Sequence, residues 1–240
     1  MDVIDITFPT PELNLACDEA LLDWCESGHP RELLRFWEPR QPFVVLGYGG
    51  RLAAEVRPEA LRANVVPVLR RCSGGGTVLQ GSGCLNYALI LRIPRSGPLV
   101  TIPGTNRSIL ERHARALEPL AGGPIQRRGD TDLALGERKF SGNSQRRKRT
   151  HLLFHGCILL EANLEVMERL LPVPQRRPAY RLGRSHREFL TGLTVPAEAA
   201  KAALRACWNA ETPSQESLPL PGNKRLAQAR YANSAWTNRL

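Results

Sequence analysis

The stretch Arg70-Arg71-Cys72-Ser73-Gly74-Gly75-Gly76-Thr77-Val78 sets three consecutive glycines behind two arginines. Glycines keep no side chain between the backbone and a ligand. Their N–H groups can converge on phosphate or carboxylate oxygens while Arg70 and Arg71 neutralise charge. No Gly-Lys-Ser/Thr follows, so this is not a Walker loop, and the spacing is not G-x-G-x-x-G either. Read alone, the stretch is equally a turn between two strands.

Outward from it, short strands alternate with helices. Pro67–Arg71 reads as a strand leading into the glycines. Val78-Leu79 and then Leu85–Ile93 follow, with Leu85, Tyr87, Leu89, Leu91 and Ile93 on one face. Upstream, Val3–Phe8 alternates as a strand, and Thr10-Pro11 marks a helix start. Leu13, Cys17, Ala20, Leu21 and Trp24 continue that helix until Gly28. Leu33–Trp37 and Phe43–Gly47 are strand-like, and Pro58–Ala63 is a short helix. Downstream, Asn106–Leu120 is an amphipathic helix. Ile125–Arg127, Leu133–Leu135 and Arg138–Phe140 are strands, the last two joined by the tight turn Gly136-Glu137. Leu152–Leu160 is a further strand. Helices are expected at Leu164–Leu171, Ala197–Trp208 and Asn223–Tyr231, with a Ser/Pro-rich loop over Glu211–Gly222. Meandering strands with flanking helices predict an α+β fold with mixed or antiparallel sheets.

Two later stretches carry chemistry. In Lys139-Phe140-Ser141-Gly142-Asn143-Ser144-Gln145-Arg146-Arg147, Lys139 sits in a strand pattern, where it can bridge two anionic oxygens as a point charge. Arg146–Arg149 reads as a solvated loop or a docking surface for an acidic partner. In His155-Gly156-Cys157-Ile158-Leu159-Leu160, His151 and His155 are four apart on a strand without the Glu of H-E-x-x-H, so no metal site is expected. Taken by itself, His155 beside glycine reads as structural.

The 240 residues (26.6 kDa) are 42% apolar and 23% charged, which excludes disordered, collagenous and coiled-coil classes. The net charge of +10 and pI near 9.9 point to an anionic partner. The start Met1-Asp2-Val3-Ile4-Asp5 is not that of a signal peptide. The most apolar run, Ala88–Ile93, is broken by Arg92, so no membrane span is expected. Cysteines at 17, 25, 72, 84, 157 and 207 form no C-x-x-C pair and read as reduced thiols of a cytoplasmic protein.

In order, the three motifs resemble the lipoate–protein ligase family of the biotin/lipoate protein ligase superfamily. Asn14-Leu15-Ala16-Cys17-Asp18-Glu19-Ala20-Leu21-Leu22 is similar to the family's first helix, Trp37 through Gly47 to its next hairpin, and Arg181-Leu182-Gly183-Arg184-Ser185 to a later basic segment. The resemblance spans residues 1–190, taken as the catalytic domain. Residues 191–240 are expected to be a short helical extension packed on the same domain. It implies an enzyme that activates lipoate or octanoate with ATP and Mg2+ to an acyl-adenylate. The acyl group then passes to one lysine of an apo lipoyl carrier domain (an E2 subunit, the glycine cleavage H protein or a similar acidic carrier). By motif, Arg70, Arg71, Ser73, Gly74, Gly75, Gly76, Thr77, Val78 and Leu79 would hold phosphates and adenylate. Lys139 would be the catalytic residue, touching the acyl carbonyl and the α-phosphate. Asp132, Ser141, Gly142 and His155 would complete the binding set, with Thr131 standing where the family has the Asn of an Asn-Asp pair near the adenine. Preorganised donors of this kind stabilise charge that grows on phosphorus in the transition state.

The superfamily's octanoyltransferases carry the acyl chain on a cysteine. One type places it shortly before the lysine motif, where this chain has Arg127-Arg128-Gly129-Asp130-Thr131-Asp132. The other places it after the His-Gly strand, where Leu171-Pro172-Val173-Pro174 stands. Neither segment holds a cysteine, which favours the ligase; Cys72, Cys84 and Cys157 read as buried packing. A biotin ligase is disfavoured because no DNA-binding N-terminal domain is evident. A lipoyl-binding or nucleic-acid-binding module would also be basic, but aromatic RNP strands are missing. Some family members need an accessory domain or a separate accessory subunit. Here Trp208, Tyr231 and Trp236 give the C-terminal tail anchors for packing on the sheet, and self-sufficiency is expected.

Overall fold

The Thr10 side chain accepts the Leu13 amide and Pro11 takes the first helical turn, so α1 starts where predicted and runs Pro11–Glu26. The computed structural model describes residues 1–210, 212–213 and 220–240. The strands are β1 (Asp2–Asp5), β2 (Leu33–Trp37), β3 (Phe43–Leu46), β4 (Val68–Arg70), β5 (Val78–Gln80), β6 (Cys84–Arg92), β7 (Ile125–Arg128), β8 (Asp132–Leu135), β9 (Arg138–Arg147), β10 (His151–Leu159) and β11 (Thr212–Pro213). The other helices are α2 (Leu52–Glu55), α3 (Pro58–Ala63), α4 (Ile102–Leu117), α5 (Leu164–Leu170), α6 (His186–Phe189), α7 (Ala197–Cys207), α8 (Leu220–Leu226) and α9 (Ser234–Thr237), with a π-helical turn at Ala227–Tyr231.

An eight-stranded mixed sheet has the order β11-β1-β2-β6-β10-β9-β8-β7, and a three-stranded sheet the order β4-β3-β5. Only the β11/β1 and β1/β2 pairs of the large sheet are parallel; in the small sheet β3 is parallel to β4 and antiparallel to β5. With helices on its faces this is the predicted α+β class. Leu85, Tyr87, Leu89 and Leu91 of β6 share a core with Ile109, Leu110 and Leu117 of α4 and Leu204 of α7. The opposite side of the same strand gives Ala88 and Ile90 to a second core with Cys17, Leu21 and Leu22 of α1. The period of two in β6 thus separates an α4/α7 face from an α1 face. Gly142, Ser144 and His155 lie on the latter.

Four local readings change. β1 stops at Asp5 rather than Phe8, because the Asn14 side chain bonds both the N–H and the C=O of Phe8 in place of a strand partner. α4 starts at Ile102, a turn early, capped by Thr101. β9 continues through Arg147, so Arg146 and Arg147 are not loop residues. Lys148 pairs with Asp23, and the Arg149 N–H bonds Glu26. Within Glu211–Gly222, α8 begins at Leu220; residues 211 and 214–219 lie outside the described residues. The two-residue turn forms as predicted, Leu135 opposite Arg138, with Gly136 at φ +53°.

The tail packs on the rest of the chain. α7 lies on α4, α8 and the π-turn lie on α1, and α9 lies on β4. Trp208 Nε1 donates to His113 at 2.7 Å, the Tyr231 hydroxyl to Glu19 at 2.7 Å, and Trp236 Nε1 to the Arg70 carbonyl at 2.8 Å.

Candidate active site

Arg70 and Arg71 are both buried, and both turn their donors on main-chain carbonyls. Arg70 bonds the carbonyls of Gly47, Tyr48 and Gly50 on one side and of Trp236 and Thr237 on the other. It ties the loop after β3 to the C-terminal tail. Arg71 bonds Ser73 Oγ at 3.1 Å and the carbonyls of Gly74, Gly76 and Val45, so it folds the glycine loop around itself. Burial lowers the Arg71 guanidinium to about 10, still a cation at neutral pH. The sequence reading gave these arginines to phosphates; in the fold they brace the loop that would meet them.

Glycine is required in this loop for two reasons. Gly75 has φ +88°, and a Cβ there would stand 2.9 Å from the Arg71 guanidinium. A Cβ on Gly47 would stand 1.9 Å from the Gly75 carbonyl oxygen, so the two backbones touch. In β5, Leu79 is a core residue and half-buried Val78 packs against a neighbouring core. The Thr77 hydroxyl is buried and finds no hydrogen-bond partner among the described residues.

Lys139 reaches the α1 face through an irregularity in β9. Leu133 opposes Ser141, yet Ala134 opposes Lys139, which leaves Phe140 as the extra residue of a bulge. Phe140 turns into the α4 core, while Lys139 and Gly142 come to share the opposite face. There the Lys139 ammonium lies over Gly142, whose Cβ, were it present, would be 2.7 Å from Nζ. Asp132 Oδ1 pairs with Nζ at 2.7 Å, and the Tyr180 hydroxyl donates to Asp132 Oδ2 at 2.9 Å. Burial first, then the Asp132 charge, keeps the Tyr180 hydroxyl protonated far above its ordinary range. Beyond the bulge parity holds. Ser144 bonds the Gly74 carbonyl at 2.8 Å on the site face, whereas Asn143 on the other face accepts from the Tyr87 hydroxyl at 2.5 Å. Ser141 is buried and its Oγ takes only a 3.4 Å contact from Asn143, so of the predicted pair only Gly142 lines the site.

His155 stands between the loop and α1. Its Nε2 is 2.6 Å from Ser73 Oγ and its Nδ1 3.2 Å from Asp18 Oδ2. Asp18 Oδ1 accepts from Arg35 at 2.5 Å, and Arg35 also bonds Asn14. Asp18, Arg35 and Asn14 were not singled out from the sequence. The signal available was Asn14, one helical turn before the pair Asp18-Glu19, set among Leu13, Leu15, Ala16, Cys17 and Ala20.

Cys157 lies opposite Gly142 on the site face. Its hydrogen bond with Cys84, and then burial, hold its thiol well above the ordinary range. Burial likewise pushes Cys72 and Cys25 up to about 12, and Cys17 and Cys207 up to about 11. Beside the loop, a cavity of about 250 Å³ is lined by Tyr48, Gly49, Gly74, Ile102, Gln145 and Arg146 among others. The guanidinium groups of Arg146 and Arg239 both lie over the Tyr48 ring there. Among the described residues no group of three or more His, Cys, Asp or Glu could hold a metal ion, and no helix is long and apolar enough to cross a membrane.

Ser144 thus ties the glycine loop to the same face of β9 that carries Lys139. A model of the lipoyl protein ligase A/B catalytic domain matches residues 10–197, and the chain belongs to that family. It is similar to the octanoyltransferase LipM of Geobacillus kaustophilus, 27% identical, with 97% of this chain and 96% of the relative covered. It is also similar to lipoate-protein ligase A subunit 1 of Thermoplasma acidophilum, 26% identical over 76% of this chain and 71% of the relative. A crystal structure of a lipoate-protein ligase A bound with ATP shares the fold at a TM-score of 0.84 and 20% identity, over all of both chains.

Proposed function

We propose that this chain is an ATP-dependent lipoate or octanoate protein ligase that forms an acyl-adenylate and passes the acyl group to a lysine of an acidic lipoyl carrier domain. The observation that carries the reading is Lys139, turned onto the site face by the bulge and oriented by Asp132. An ammonium there bridges the acyl carbonyl and the α-phosphate as the carboxylate attacks phosphorus and pyrophosphate leaves. The carrier lysine then attacks the acyl carbonyl and AMP departs. The cavity lined by Arg146 and Arg147, with Arg239 over its Tyr48 ring, suits the charge of a nucleoside triphosphate. Mg2+ supplied with ATP would neutralise charge on the departing pyrophosphate, while both Asp132 oxygens are engaged by Lys139 and Tyr180. Unpaired cysteines fit a reducing compartment such as the cytoplasm.

A second reading, a cysteine-dependent octanoyltransferase, is favoured by the place of Cys157 on the site face and by the likeness to LipM. A thioester route needs a thiolate, and protonation of Cys157 counts against it. One experiment separates the two: the pure chain with octanoate, ATP and Mg2+, against the chain with an octanoyl-thioester donor and no ATP. ATP–pyrophosphate exchange in the first and no acyl-enzyme in the second are expected; an acyl-thioester on Cys157 without ATP would overturn the ligase reading. We also propose that no accessory subunit is needed, because Arg70 and Glu19 of the catalytic frame are held by the tail. Carrier acylation by this single chain, followed by mass spectrometry, tests that. Adenylate formation with no transfer would point to a separate subunit.

A further inference from the structure

Ser73 comes from the glycine loop, His155 from β10 and Asp18 from α1, and the three meet in one line. Burial would raise the Asp18 carboxyl, but the Arg35 charge and the His155 contact outweigh it and hold the carboxyl below its ordinary value. Asp18 is therefore an anion and only accepts. With the ring neutral, Nδ1 carries the proton toward Asp18, and Nε2 accepts from the Ser73 hydroxyl. Ser73 Oγ in turn accepts from Arg71 Nε. The whole set is paired in one direction.

We propose that Asp18 is a positioning residue: it fixes the His155 tautomer, which orients the Ser73 hydroxyl and with it the glycine loop. This rests on the reading of that loop as the cradle of the acyl-adenylate. Ser73 lies between Arg71 and Gly74, and its carbonyl accepts the Tyr48 N–H at 2.8 Å. An error in its orientation therefore passes directly to the Gly74–Gly76 amides. The same geometry activates a nucleophile in hydrolases. Here Ser73 is 1% exposed and its hydroxyl is engaged on both sides, so it holds the loop rather than carrying an acyl group.

The test is Asp18→Asn. Arg35 only donates, so it takes the amide oxygen of the new side chain, and the NH2 group faces His155 Nδ1. The ring proton then moves to Nε2 and points at Ser73 Oγ, which already accepts from Arg71. Long-range 1H–15N spectra of the full chain should show His155 protonated at Nδ1 alone in the parent and at Nε2 in the variant. ATP–pyrophosphate exchange should fall about 10- to 100-fold, the usual effect of losing an orienting partner. In a Ser73→Ala background the same change should add less than about twofold, because no hydroxyl is left to misdirect. A parent ring protonated at Nε2 would overturn the proposal, and that measurement needs no variant to fold. So would an undiminished drop in the Ser73→Ala background, or an acyl ester found on Ser73. Should the parent show no exchange at all, the ligase reading fails on its own. The tautomer and the coupling, read through transfer from an octanoyl-thioester, still judge the relay.

Discussion

Gly142→Ala separates placement of Lys139 from stability of the fold. The added Cβ would lie 2.7 Å from Nζ and 2.9 Å from Cε of Lys139, and 4.0 Å from Asp132 Oδ1. Ordinary contact begins near 3.4 Å, so the amine must retreat by at least about 0.7 Å and leaves its 2.7 Å pair with Asp132. The atoms that must move are the free end of a flexible side chain, 25% exposed, so the fold can absorb the shift. Gly142 has no positive φ, and alanine in an extended strand restricts the unfolded chain more than glycine. Stability should change by no more than about 1 kcal/mol. Activity should change far more, since a misplacement near 1 Å at a reacting centre lowers rate by on the order of 10²-fold. The assay is ATP–pyrophosphate exchange with octanoate, alongside a urea melt. Lys139→Ala sets the floor, at about 10²- to 10³-fold below the parent. Exchange within threefold of the parent in a stably folded Gly142→Ala variant would show that the amine does not act from the position over Gly142.

Gly156→Ala should do the reverse. Its Cβ would fall 1.8 Å from Asn143 Oδ1 and 3.0 Å from the Gly142 carbonyl, on the core side, so a loss of roughly 2–4 kcal/mol is expected in denaturant melts; unchanged stability would refute the packing described for Asn143. Arg70→Ala takes a donor from five carbonyls, of which Gly47 alone keeps another from the Gly50 N–H among the bonds described, and should lower stability by roughly 2–4 kcal/mol while exposing residues 220–240 to limited proteolysis. Intact digestion patterns would mean the tail is held by other contacts. His113 is buried and burial lowers its pKa to about 3, against 6.5 for the free side chain. Between those values the unfolded state binds the extra proton, so stability falls as pH drops through that window, by at most roughly 1.4 kcal/mol per pH unit. His113→Gln retains an acceptor for Trp208 and should flatten that slope in melts taken from about pH 6.5 to 4; an unaltered slope would assign the acid sensitivity elsewhere.

The fold was legible wherever local chemistry decides it. Thr10-Pro11 is a cap followed by a residue that needs no N–H donor, and α1 starts there. The alternation through β6 is hydrophobic on both faces, but its Leu/Tyr/Leu/Leu phase matched the α4 core residue for residue. Gly136-Glu137 specified a two-residue turn because a glycine admits its positive φ. The errors share a cause of another kind. β1 ends early because a side chain nine residues downstream of Asp5, Asn14, takes over pairing with Phe8. Arg147 joins β9 by pairing with Leu152, and Leu99, Val100 and Thr105, all distant in sequence, receive its guanidinium. Both changes come from side-chain partners that local propensity does not weigh.

The site motifs were legible as strings but not as assignments, and the reason is parity. Along Lys139–Arg147 one set of side chains belongs to the α4 core and the other to the site. A simple alternation from Lys139 would put Gly142 on the wrong side. The bulge at Phe140 resets the count, and it arises from the register with β8 rather than from any residue type in β9. The same division runs through the glycine stretch. Arg70 and Arg71 carry the charge that marks an anion site, yet direction, not charge, decides what an arginine binds, and both point inward at carbonyls. Ser73, expected to hold phosphate and adenylate, instead takes the contact to His155 that joins the loop to Asp18. A motif of this family is thus two interleaved sets, one shaping the backbone and one meeting the ligand. Only the pairing of distant strands says which residue belongs to which.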